Sequence, residues 1–153
     1  MEQATVKLAD LFSNFPSIFL DTALVIYYVD GNSAYQLLVD SIFDTLDRGH
    51  ITGITSPITL AECLVHPYRK NDSQRATVFA NLIFSGQHIQ FVEIGQEVVD
   101  RAAMLRAKYR LQLPDALQLA VALVSRCDVF LTNDARLKQI SEVRVLLLDD
   151  LEP

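Results

Sequence analysis

LQLPDALQLAVALVSRCDVFLTNDARL, residues 111–137, is the most informative segment of this chain. Pro114 suits the first turn of a helix, where its missing N–H costs nothing, and the residues after it leave almost no polar face. Arg126 and Asp128 flank a break, and an apolar run follows at residues 129–131. The segment is therefore typical of a buried helix followed by a parallel strand that is covered on both faces.

The remainder of the chain alternates between strand and helix patterns. We expect strands at residues 18–20, 51–55, 89–92, 129–131 and 143–148, and helices at residues 22–29, 34–47, 73–84, 96–109 and 114–124, with another starting at Pro57 and a short one before Pro16. In the helix at 96–109, the residues predicted to face inward are Val98, Val99, Ala102, Ala103 and Leu105. The alternation predicts an α/β fold around a central, mainly parallel sheet of about five strands.

Length and composition favour one compact domain. We predict a single domain over residues 1–153, with residues 1–16 as an N-terminal extension and residues 17–150 as the core. No apolar run approaches the roughly 18 residues that a membrane span needs. Cys63 and Cys127 lack metal-site spacing, so we interpret them as reduced, buried thiols of a cytoplasmic protein.

The net charge of −6 carries little information about partners. An acidic chain is not expected to coat itself with nucleic acid, yet an enzyme that holds a divalent cation among carboxylates would also be acidic. The three histidines, at positions 50, 66 and 88, share no metal spacing, and a mechanism based on paired histidines is not favoured.

Four acidic residues stand at positions where a carboxylate needs an explanation. Asp21 and Asp134 follow apolar strands, Asp115 lies in the first turn of a buried helix, and Glu62 has apolar neighbours. Each has a structural alternative, since Asp caps helices, acids favour helix N-termini, and Glu62 would suit a solvated stripe. As a set they instead predict one oxygen-rich pocket for Mg²⁺ or Mn²⁺ at a sheet edge.

Four motifs then carry a resemblance to a known family. They are FLDT at residues 19–22, TLAE at 59–62, LPDALQLA at 113–120 and FLTND at 130–134. Their order and spacing resemble those of PIN-domain nucleases, in particular the VapC group of toxin ribonucleases. Two rival folds fit less well. A receiver domain would place a lysine where Thr132, Asn133 and Asp134 stand, and a haloacid-type phosphatase would have Asp where Ala23 stands.

The resemblance implies a Rossmann-like three-layer α/β/α sandwich that hydrolyses RNA phosphodiester bonds with Mg²⁺ or Mn²⁺. It also implies homodimers and an antitoxin protein that inserts Arg or Lys among the carboxylates. The acidic positions of the family map onto Asp21, Glu62, Asp115 and Asp134, and its small polar residues map onto Thr22, Thr132 and Asn133. The alternative is a catalytically silent PIN module that binds RNA or protein.

RNA would need basic or aromatic contacts near an acidic pocket. The densest group is Arg69, Lys70 and Arg75, with Tyr68 able to stack on a base. A second basic group, Arg106, Lys108 and Arg110, leads toward Asp115. Basic residues at helix C-termini also interact favourably with the helix dipole, and that explanation stands beside RNA contact for both groups.

The chain departs from the family pattern at two points. About sixteen residues precede the first strand, whereas family members often begin almost directly with it. After the fourth motif the family frequently has an aromatic residue, and this chain has Ala135, Arg136 and Leu137. We expect the first departure to bear on dimer or antitoxin contacts, and the second on the packing of the loop.

Overall fold

The computed structural model describes residues 5–153. In chain order its elements are β1 (Val6–Lys7), α1 (Leu8–Asn14), β2 (Ser17–Leu20), α2 (Thr22–Asp30), α3 (Gln36–Asp47), β3 (Thr52–Thr55), α4 (Pro57–Arg69), α5 (Ser73–Ser85), β4 (Ile89–Phe91), α6 (Gln96–Tyr109), α7 (Leu113–Val124), β5 (Val129–Thr132), β6 (Arg144–Leu147) and β7 (Leu151–Glu152). Short 3-10 turns span Ala135–Gln139 and Leu148–Asp150.

The central sheet has five strands in the order β4-β3-β2-β5-β6. Every neighbouring pair is parallel, and Phe19 of β2 lies opposite Ile54 of β3 and Phe130 of β5. The chain builds outward from β2 to β4 on one side and then crosses to β5 and β6 on the other. The order therefore reverses between β2 and β5, which is where open α/β sheets form their ligand crevices.

Helices cover both faces of this sheet. Ile18, Leu20 and Leu131 pack into a core shared with α1 to α5, whereas Phe19 and Phe130 belong to a second core with α6 and α7. The Phe19 and Phe130 rings stack with their centroids 4.7 Å apart. Alternate side chains of buried strands thus serve opposite cores, and the predicted three-layer α/β/α sandwich with a parallel five-stranded sheet is confirmed.

The inward face predicted for α6 was too wide. Val98, Ala102 and Leu105 are buried, but Val99 is 53% exposed and Ala103 is also exposed. Positions 98, 102 and 105 lie on one stripe of a helix, and each following residue is rotated by about 100° away from it. The apolar residues at 99 and 103 therefore lie outside the core.

The N-terminal segment packs onto the domain. Leu8 and Leu11 of α1 are buried in the core on the β2 side, and β1 pairs in parallel with β7, with Val6 opposite Leu151. The helix predicted before Pro16 is thus present as α1; residues 1–4 of the predicted extension lie outside the described residues. Within residues 5–153, no helix has the length and apolar content needed to cross a membrane.

Candidate active site

Asp21 lies at the carboxyl end of β2 and caps α2. Its Oδ1 accepts a hydrogen bond from the Thr22 backbone N–H (2.8 Å), and its Oδ2 accepts one from the Thr132 Oγ1 hydroxyl (2.7 Å). Its own backbone N–H donates to the Leu131 carbonyl (3.2 Å). The capping role considered from the sequence is therefore real, and Asp21 also contacts the adjacent strand β5.

The surroundings of Asp21 oppose its charge. Burial raises the pKa of its carboxyl from 3.8 to about 6, although the hydrogen bonds from Thr132 and Thr22 act in the opposite direction. The negative charges of Glu62 and Asp115 raise the pKa further. Glu62 and Asp115 therefore both lie near enough to Asp21 to repel its charge, as expected of carboxylates brought together from distant parts of the chain.

Glu62 reaches the same edge from α4. Ser56 accepts a hydrogen bond from the Ile58 backbone N–H (3.1 Å) and Pro57 follows, so the helix starts directly above β3. Glu62 lies in the second turn with an exposed side chain, and its Oε1 accepts a hydrogen bond from Thr22 Oγ1 (2.8 Å). Glu62 is therefore exposed to solvent, as the structural alternative predicted, and its contact with Thr22 also holds the carboxylate toward the site.

Asp115 is partly buried in the first turn of α7. Burial raises the pKa of its carboxyl, the nearby Asp134 raises it further, and Arg136 lowers it. Within residues 5–153, the Asp115 carboxylate has no hydrogen-bond or ion-pair partner. A partly buried carboxylate of this kind is stabilised by a cation.

Asp134, which follows β5, is instead paired within the chain. Both carboxylate oxygens accept hydrogen bonds from Arg136: Nε lies 3.0 Å from Oδ1, and Nη2 lies 2.6 Å from Oδ2. Arg136 accordingly holds the pKa of the Asp134 carboxyl below its ordinary range. Of the four predicted acids, Asp134 is the one that already has a positively charged partner.

The small polar residues predicted at the site have separate contacts. Buried Thr132 accepts a hydrogen bond from the Asp134 backbone N–H (3.1 Å) while donating to Asp21, so it connects two of the carboxylate positions. The Asn133 amide donates to the Tyr27 hydroxyl (3.0 Å), which fastens the end of β5 to α2. Thr132 therefore contacts two of the four acids, whereas the Asn133 side chain contacts Tyr27.

The donor set fits a hard divalent cation. Within residues 5–153, no three His, Cys, Asp or Glu side chains lie close enough together to enclose a metal by themselves. Mg²⁺ is usually held by one or two carboxylates and keeps several waters. Asp21 and Asp115 offer two such carboxylates, and burial raises the pKa of both.

Comparison with known proteins identifies the family. A model of the PIN domain matches residues 18–143. The chain belongs to the PIN-domain family. No curated protein matches the chain significantly.

Solved toxin–antitoxin structures share the fold of this PIN domain. VapBC2 from Rickettsia felis, bound to a promoter DNA fragment, matches 86% of this chain and 98% of its own with a TM-score of 0.69 and 16% identity. DNA-bound VapBC from Salmonella typhimurium gives the same coverages with a TM-score of 0.67 and 17% identity. VapC20 from Mycobacterium tuberculosis, a toxin that cleaves the sarcin–ricin loop, covers 83% and 98% with a TM-score of 0.64 and 16% identity. At sequence identities this low, these matches show that the fold is shared and nothing more.

A buried polar network below the PIN-domain site was not found from the sequence. Ser56 Oγ donates a hydrogen bond to Gln118 Oε1, and Gln118 Nε2 donates to Thr59 Oγ1 (2.7 Å). This network joins α4 to α7 and so sets the position of Glu62 relative to Asp115. A glutamine inside an otherwise apolar helix is the signal that was available in the sequence.

The first predicted RNA-binding group lies at the far end of α4. Arg69 is seven residues beyond Glu62, about 10 Å along the helix axis. Tyr68, Arg69 and Lys70 are exposed. Arg75 forms a short ion pair with Asp30 and a second one with Asp72 (3.7 Å), so its charge is largely offset.

The second basic group divides into bound and available side chains. Arg106 Nε donates to the Leu111 carbonyl (2.9 Å), and Lys108 pairs with Glu142 (3.5 Å). Arg110 instead lines a cavity beside Asp115 that also includes Arg136. From the sequence, Arg136 stood out only as a departure from the family pattern, because a spacing of two residues from Asp134 does not by itself predict an ion pair.

Proposed function

We propose that this PIN domain is an endoribonuclease that hydrolyses RNA phosphodiester bonds with Mg²⁺ or Mn²⁺. One observation carries the proposal. Asp21, Glu62 and Asp115 gather at the carboxyl edge of the sheet, the Asp21 and Asp115 pKa values are raised, and no Lys or Arg within residues 5–153 forms an ion pair with any of the three. Negative charge concentrated at one sheet edge suits a divalent cation and its phosphate ligand.

The carboxylates have distinct roles in this proposal. Asp21 and Asp115 would hold the cation directly, and Glu62 and Asp134 would act directly or through water. Thr22 orients Glu62, and Thr132 orients Asp21. The bound cation would supply a water molecule of lowered pKa and would offset charge on the phosphoryl oxygens.

We further propose that the protein is the toxin of a toxin–antitoxin pair. Support comes from the fold it shares with VapBC proteins and from the ion pair between Arg136 and Asp134, because a carboxylate at this edge accepts a guanidinium group well. An antitoxin would insert Arg or Lys among the remaining carboxylates. Co-expression with the product of a small adjacent reading frame should then abolish cleavage. Homodimer formation stays a prediction that sedimentation analysis would test.

The test of the proposed activity is cleavage of tRNA and ribosomal RNA fragments by the purified protein with Mg²⁺, Mn²⁺ or EDTA. The decisive variant is Asp115→Asn, and the matched control is Asp100→Asn, which makes the same change at an exposed position of α6. We expect metal-dependent cleavage that is lost in Asp115→Asn and kept in Asp100→Asn. Absence of cleavage, together with a melting temperature that metal does not change, would favour a catalytically silent binding module.

A further inference from the structure

A cavity of about 170 Å³ adjoins Asp115. Its polar lining consists of Arg110, Gln112, Asp115, Arg136 and Gln139. We propose that this cavity, the phosphate subsite, binds a backbone phosphate of the RNA next to the bond that is cut. The inference rests on the proposed ribonuclease function and names where its substrate is held.

Arg110 supplies the first positive charge of the phosphate subsite. It ends α6 in the left-handed conformation, with φ 55°, and the bond from Arg106 to the Leu111 carbonyl fixes the turn that follows. Within residues 5–153, the Arg110 side chain has no ion-pair or hydrogen-bond partner, unlike those of Arg106 and Lys108. Its charge is therefore available to a ligand.

Arg136 supplies the second charge in a fixed orientation. Its Nε and Nη2 hold the two oxygens of Asp134, and a guanidinium carries five N–H donors. The remaining donors are accessible, since the side chain is 71% exposed. A planar guanidinium that is already held in place loses little conformational entropy when it binds a phosphate.

The remaining lining suits a nucleotide more than a free ion. Gln112 and Gln139 are exposed amides that add neutral donors and acceptors, and buried Leu111 and Leu137 form apolar walls. Cations placed directly beside Asp115 would also offset the repulsion between RNA and the acidic edge. Arg75, in the first predicted RNA-binding group, pairs with two carboxylates, those of Asp30 and Asp72, whereas Arg136 pairs with one.

The experiment measures binding of a fluorescent RNA as a function of salt, in EDTA, which removes the cation that the proposed cleavage needs. The variants are Arg110→Gln and Arg136→Gln. The matched control is Arg126→Gln, because Arg126 is exposed and adopts the same left-handed conformation, with φ 57°. Arg126 follows the C-terminal end of α7, whereas Asp115 lies at the other end of that helix.

We expect Arg110→Gln to weaken binding about tenfold and to reduce the slope of log K against log salt by about 0.7, the value for one lost contact with single-stranded nucleic acid. Arg136→Gln should behave similarly, and Arg126→Gln should bind as the unchanged protein does. Arg110→Gln breaks no side-chain hydrogen bond or ion pair within residues 5–153, so this variant is the decisive one. A single-stranded DNA of the same sequence should show the same loss, because the proposed contact is to phosphate.

Two outcomes would overturn the phosphate subsite: Arg110→Gln binding with the affinity and salt slope of Arg126→Gln, or a loss seen with RNA but not with DNA. The cleavage assay with Asp115→Asn judges the ribonuclease proposal separately. If the protein cleaves RNA and Arg110→Gln does not change its RNA affinity, only the phosphate subsite is contradicted. A loss of salt slope in a protein that cleaves nothing would contradict only the proposed activity.

Discussion

Asp21 has a carboxyl whose surroundings disfavour ionisation even though two hydrogen bonds favour it. Its folded-state pKa of about 6 exceeds the ordinary 3.8, so the folded protein binds more protons than the unfolded chain between these values. The contribution of Asp21 to stability therefore falls as pH rises through this window, by up to about 3 kcal/mol. Burial of the carboxyl causes this loss of stability, and the hydrogen bonds from Thr132 and Thr22 reduce it.

The pH dependence is measurable by urea unfolding in EDTA from pH 4 to 7. Relative to Asp21→Asn, the unchanged protein should lose stability as pH rises toward 6. The variant removes the titrating group while keeping an oxygen for the Thr22 backbone N–H. Two stability curves that stay parallel across this range would contradict the electrostatic account of Asp21.

A bound divalent cation should offset the loss of stability that the ionised Asp21 carboxylate causes. At a free Mn²⁺ concentration 100 times the dissociation constant, binding stabilises the folded state by about 2.7 kcal/mol. For a domain of this size we expect a rise in melting temperature of about 5–10 °C. The rise should vanish in Asp21→Asn and persist in Asp100→Asn, as calorimetry with and without Mn²⁺ would show.

Asp134 should matter less to catalysis than Asp115, because Arg136 already occupies both of its oxygens. We expect Asp134→Asn to lower kcat about 10–100-fold, the range for groups that act through others at a metal, and Asp115→Asn to remove detectable cleavage. Steady-state cleavage of the same RNA at saturating concentration would measure both. Equal losses would indicate that Asp134 leaves Arg136 during the reaction.

At the level of elements, Gln118 holds α4 and α7 together. Gln118→Leu would leave the buried hydroxyls of Ser56 and Thr59 without this partner, and we expect a loss of about 1–3 kcal/mol in the free energy of unfolding. Thr55→Val is the contrasting variant, because the buried Thr55 hydroxyl has no hydrogen-bond partner among the described residues. Its removal should be neutral or stabilising in the same urea titration.

The helices, the strands and the edge that carries the acids were predictable from local pattern. Apolar runs, caps and breaks lie within a few residues of one another, so the sequence contains them directly. The partners of Gln118 are about sixty positions away in sequence, and no periodicity indicates them. Arg110 adopts a left-handed conformation after a helix end that is rich in basic residues, as many helix ends are. This conformation could not be predicted from the sequence either.

The choice of inward residues on α6 shows a related limit. Val99 is as apolar as Val98, and only the position of the sheet decides that Val98 is buried. The spacing of apolar residues predicted the helix and the approximate position of its buried face. The width of that face depends on the neighbouring elements. The ion pair between Arg136 and Asp134 depends on the 3-10 turn at Ala135–Gln139, and a spacing of two residues does not indicate it.

For the whole molecule, the segment before β2 is expected to contribute substantially to stability. Leu11 is fully buried in the core that includes Leu20 and Leu131. We predict that Leu11→Ala costs about 2–5 kcal/mol, measured by urea unfolding, whereas Ser13→Ala on the exposed face of α1 should cost far less. A loss below about 1 kcal/mol for Leu11→Ala would show that this segment is a dispensable appendage.

The pairing of β1 with β7 brings the two ends of the described chain side by side, with Val6 opposite Leu151. Cys63 and Cys127 are buried, and burial raises the pKa of their thiols to about 12 and about 11, so they react slowly with labelling reagents. Cysteines introduced at exposed Thr5 and Pro153 would therefore accept a pair of fluorophores without removal of the native thiols. Energy transfer between the dyes would be high in the native protein and would fall as the ends separate, in a chain whose unfolded radius of gyration is roughly 40 Å.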